Sequence, residues 1–130
     1  MNKEQIKNAI WLNFIVFMAS ATNIIITYLI CYNDNNFSSL IMTGIAYVIP
    51  CLAECVNFLI NDSEQMDYGI VKIIVIGIIV IEILLFFINV AGVVIGENTF
   101  FVAIVMASMI IYAAKHLVFT VFYLTCLKNK

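Results

Sequence analysis

Glu54, Glu82, Lys115 and His116 are the residues with chemistry to offer, because each interrupts a long apolar run well away from its ends. A charged side chain at the centre of a membrane helix costs roughly 3 kcal/mol to insert, so such groups face a bundle interior and pair with one another. With a midplane near Pro50, helix rise places Glu54 ~6 Å to one side, Glu82 near the middle of its run, and Lys115 and His116 ~5 Å to the same side as Glu54. All four then share a slab less than ~10 Å deep, where they can meet. Two carboxylates against one lysine leave a surplus negative charge, removable by protonating Glu82 or by charging His116.

Other polar residues follow the same faces at 100° per step. Thr43, Tyr47, Pro50, Glu54, Asn57 and Asn61 form one stripe, and Ser108, Tyr112, Lys115, His116 and Tyr123 another. Glu82 and Asn89 are seven apart, as are Asn13, Ser20 and Thr27. The expected intramembrane network is Glu54, Glu82, Lys115 and His116 with Tyr47, Asn57, Asn89 and Tyr112. Two readings of it stand open. In one, Glu54 or Glu82 neutralises Lys115 and the pair fixes helix register without doing chemistry. In the other, the ionisable groups line a hydrated path that relays protons or coordinates a cation. Pro50 lacks a backbone donor, frees the Ala46 carbonyl and predicts a kink beside Tyr47 and Glu54.

The elements that must position these groups are four apolar stretches at 10–31, 40–60, 68–95 and 99–127. Each exceeds the about 20 residues needed to cross a hydrocarbon layer ~30 Å thick. Lipid offers the backbone no hydrogen-bond partner, so the spans must be helices, and runs such as Ile73-Ile74-Val75-Ile76 lack strand alternation. A hydrophobic share of 65% and a mean hydropathy of +1.11 leave no room for a soluble domain. The fold class is therefore an all-α integral membrane four-helix bundle, with residues 1–130 as one transmembrane domain. The first apolar run is too long for a signal peptide and lacks a small-x-small cleavage site, so it is expected to stay as an anchor.

Six lysines and no arginine set the orientation. Placing both termini in the cytoplasm puts Lys3, Lys7, Lys72, Lys128 and Lys130 inside and leaves no lysine in either outer connector, as the positive-inside rule requires. The expected topology is N-in, C-in, in a bacterial inner membrane. The inner loop at 61–67 is acidic. It reads as a solvated turn in which Ser63 or Asp67 caps the third helix, or as a docking patch, Asp62, Glu64 and Asp67, for a basic cytosolic protein partner. A net charge of −2 without a basic stripe argues against nucleic-acid binding.

Cys31, Cys51, Cys55 and Cys126 show no metal-ligand or redox spacing and read as small apolar fillers. No cofactor or metal is expected. Gly92 and Gly96 form a GxxxG pair at the outer end of the third span, and Ala103 and Ala107 repeat the small-xxx-small spacing on the fourth. They predict close packing of the third helix on the fourth or, as the rival reading, contact within a homo-oligomer. Four helices also leave little room for a closed pathway, so a pore-type role favours symmetric assembly.

The Asn-Phe-Leu-Ile-Asn run at 57–61 resembles a short stretch of small bacterial flippase-type proteins. Asp62, Ser63 and Glu64 stand where that pattern has basic and aromatic residues, and no family is assigned on it. No nucleophile–base pairing, metal cluster or nucleotide loop argues for an enzyme. The leading expectation is a non-enzymatic, oligomeric inner-membrane subunit, a sensor or pore-type component with a buried charge network and a cytosolic partner. Bacterial immunity and defence systems use small membrane parts of this sort, and the Ile/Asn/Lys-rich composition suits an AT-rich bacterial locus. The alternative is a small proton- or cation-linked transporter or channel.

Overall fold

The computed structural model describes residues 2–33, 37–62, 69–95 and 99–129, with only the backbone described at 30–33, 37–40, 99 and 101. Four helices follow one another along the chain: α1 (Lys3–Asn33), α2 (Phe37–Asn61), α3 (Gly69–Ile95) and α4 (Thr99–Lys128). Each contains a segment long and apolar enough to cross a membrane. A reciprocal cap starts α1. Gln5 N–H donates to Asn2 Oδ1 at 2.8 Å and Asn2 N–H donates to Gln5 Oε1 at 3.0 Å, so two donors with no helical acceptor are satisfied at once.

The helices alternate in direction, and α4 is the central one, packed against α1, α2 and α3, while α2 also packs on α3. Two apolar clusters lie at opposite ends. One joins Ile6, Cys51, Cys55, Phe58, Val75, Phe119, Phe122 and Cys126, so the start of α1, the end of α2, the start of α3 and the end of α4 meet there. Its centre is aromatic: Phe58 stacks on Phe119 with centroids 4.4 Å apart and meets Phe122 edge-on at 4.8 Å. The other cluster is built on Ile41, Val105 and Met109, with Tyr47 and Ile88 against it.

Gly44 sets the closeness of α2 to α3 and α4. A Cβ there would lie 2.7 Å from Asn89 Oδ1 and 3.1 Å from Val105 Cγ2, so only glycine lets the helices approach this far. Pro50 sits on an exposed face, and α2 runs unbroken through it. Of the small-residue pairs, Gly92 is buried, Ala107 half-buried and Ala103 exposed. Gly96 lies outside the described residues.

Candidate functional site

The four ionisable residues do converge. Lys115 is fully buried, and its ammonium pairs with Glu54 Oε2. The same ammonium stands over the Tyr112 ring at 4.4 Å and the Phe119 ring at 5.7 Å. A carboxylate and two ring faces thus replace water around one cation. Adjacent residues on a helix point about 100° apart, so α4 sends Lys115 and His116 to two sides and has to be the central helix.

His116 is 5% exposed and ties α4 to α1. Asn13 donates its Nδ2 to the Ala9 carbonyl at 2.8 Å, which leaves its Oδ1 to accept from His116 Nδ1–H, also at 2.8 Å. That bond fixes the tautomer. His116 Nε2 lies 3.1 Å from Glu54 Oε2, within ion-pair distance, and has no hydrogen-bond partner.

Glu82 is fully buried on α3, and neither of its carboxyl oxygens has a hydrogen-bond partner. Lys115 and the Cys51 thiol are the groups close enough to act on it electrostatically. Glu54 rather than Glu82 therefore makes the ion pair. Farther along, Asn89 donates to the Leu85 carbonyl at 2.9 Å and to Ser108 Oγ at 3.2 Å, while its Oδ1 points at Gly44.

The expectation that every polar stripe faces a closed interior needs correction on α2. Pro50, Asn57 and Asn61 are exposed, and 41% of the Glu54 side chain is open. The reason is the gap between α1 and α2: both lean on α4 or α3 more than on each other, so the stripe becomes one wall of a groove. The groove encloses about 320 Å³. Glu54, Asn57 and Asp62 line it from α2, Asn13 from α1, and His116, Phe119 and Tyr123 from α4. A second crevice, between α3 and α4, is walled by Val71, Ile74, Val118 and Phe122 and is nearly all apolar.

Polar contacts continue along the bundle beyond the groove. Outside it Asn23 on α1 donates to the Tyr47 hydroxyl at 2.7 Å, and Tyr47 meets Tyr112 edge-on at 5.1 Å. The Lys115–Glu54–His116 cluster follows. Asn61 then donates to Asn57, and the Tyr123 hydroxyl donates to Asp62 Oδ2 at 2.5 Å at the far end. Asn13 and Asn23 as partners on α1, and Gly44, lie outside the expected site. The seven-residue step of Asn13, Ser20 and Thr27 was the signal for the first; Asn23 stands off that stripe.

Glu64 and Asp67, proposed with Asp62 as a docking patch, lie outside the described residues. Cys51, Cys55 and Cys126 are buried in the aromatic cluster. Among the described residues no three His, Cys, Asp or Glu side chains are grouped to hold a metal. No protein-family model matches the chain, and no curated protein or solved structure is significantly similar to it.

Proposed function

We propose that this chain is a non-enzymatic, multi-pass protein of a bacterial inner membrane, with both termini cytoplasmic, that handles a cation at the Glu54–Lys115–His116 cluster. It acts as a pore-type or transport subunit. The observation that carries this reading is Glu54, an acidic side chain midway along an apolar helix, paired on one side and 41% open to a polar groove on the other. A purely structural ion pair gains nothing from that opening, because an exposed carboxylate in lipid is costly. Apolar outward faces, such as Ile25, Ile73 and Val94, support residence in a bilayer. The lysine asymmetry supports the orientation. Assembly as a homo-oligomer supplies the closure that a groove open along one side lacks.

A second reading is a subunit that recruits a cytosolic protein, as small membrane parts of immunity or defence systems do. The half-buried acidic end at Asp62 favours it. Both are tested together. Protein reconstituted in liposomes is expected to dissipate an imposed proton or potassium gradient, with Glu54→Gln abolishing the flux. Correctly inserted protein without flux, together with a soluble protein that co-purifies and is lost in Asp62→Asn, overturns the transport reading in favour of recruitment.

A further inference from the structure

Lys115 demonstrates what holds an ammonium in this bundle: one carboxylate oxygen of Glu54 and the faces of Tyr112 and Phe119. The groove next to it offers the same chemistry without a tethered cation inside. Its acidic groups are Glu54 and Asp62, separated by ~12 Å of helix rise. Between them stand the rings of Phe58, Phe119 and Tyr123. No lysine is among the lining residues, since Lys115 lies behind the wall and is fully buried. Glu54 and Asp62 outnumber Lys115, so the field in the groove is negative.

A second, independent observation points the same way. His116 is 5% exposed and lines the groove, and its Nε2, 3.1 Å from Glu54 Oε2, has no hydrogen-bond partner. A primary ammonium entering the groove can donate to the open side of Glu54, while the aromatic walls take its hydrocarbon part. An inorganic cation would give up its hydration shell to rings that restore little of it, whereas an organic ammonium regains part of that cost by burying its hydrocarbon body against them. About 320 Å³ is at the small end of ligand pockets and suits a body of one or two rings.

We propose that the groove between α1 and α2 is a binding site for a hydrophobic organic ammonium, held by Glu54 and Asp62 beside His116, against Phe58, Phe119 and Tyr123. This names the substrate class of the site and rests on the cation-handling reading.

The test uses the full chain in lipid nanodiscs, with empty nanodiscs as blank, and three tritiated probes of one body: 1-naphthylmethylammonium, 1-naphthylmethanol and 1-naphthylacetate. Equilibrium dialysis is expected to show saturable binding of the ammonium at least tenfold tighter than of the alcohol or the acid. Asn57→Leu, which fills the groove and leaves the ion pair alone, and Asp62→Asn should each weaken it about tenfold; either suffices if the other does not fold. Equal binding of ammonium and alcohol, tighter binding of the acid, or wild-type affinity in a folded groove variant overturns the proposal. Proton or potassium flux that depends on Glu54, without ammonium binding, overturns this inference and leaves the function standing. Ammonium binding without any flux keeps the site and defeats the transport reading.

Discussion

Lys115 and Glu54 are worth more to each other than either is to the fold alone. Lys115→Met leaves Glu54 without its cation and should destabilise the bundle by about 3 kcal/mol, the low end for a broken buried pair because Glu54 keeps an open side. Glu54→Gln/Lys115→Met together should fall within about 1 kcal/mol of wild type in detergent unfolding, because an apolar pair carries no desolvation penalty. At Gly44 the sign is set by space. Gly44→Ala puts a methyl 2.7 Å from Asn89 Oδ1 and should cost about 1–3 kcal/mol. Adding Asn89→Ala should recover much of that loss, a coupling that an unfolding double-mutant cycle reads directly. The ionisable residues were legible in the sequence because charge in an apolar run stands out against its surroundings. Which carboxylate pairs with Lys115 was not. Helix rise fixes depth to a few ångströms, but the choice between Glu54 and Glu82 depends on how each helix is rotated about its axis, and packing decides that.

α1 is the least buried of the four helices and leans on a single neighbour. It packs chiefly on α4, and Asn13 to His116 is its buried polar anchor. Asn13→Leu leaves the His116 Nδ1–H buried without an acceptor, a loss of about 1–3 kcal/mol. Amide exchange should then speed up along α1 while α3 keeps its protection; equal acceleration in both would show that α1 is not a separate unit. The presence and number of the helices could be read from the apolar runs, whose length and lack of strand alternation leave a helix to satisfy the backbone, but not the start of α1, which begins at Lys3 in the polar segment ahead of its run. The groove could not. It exists because α1 and α2, neighbours in sequence, scarcely touch, and neither hydropathy nor polar stripes say which pairs of helices close on each other. The stripe on α2 marked a special face correctly, but Asn57 shows that a polar face can line an opening as readily as a core.

One side of the bundle carries an acidic groove, and its other outward faces are apolar. Reporter fusions should find both termini on the cytoplasmic side, as the lysines at 3, 7, 72, 128 and 130 require. The most direct test of the central claim compares two neighbours on α2 that are both exposed and lie at nearly the same depth: Asn57 on the groove wall and Val56, about 100° away on the outer face. In a cysteine-free background reconstituted in liposomes, Asn57→Cys should react with water-soluble methanethiosulfonates, the cationic reagent at least tenfold faster than the anionic one, while Val56→Cys stays unreactive towards both. Equal silence at the two positions, or an anionic reagent that reacts faster at position 57, would contradict the claim that Glu54 opens onto water and selects for positive charge.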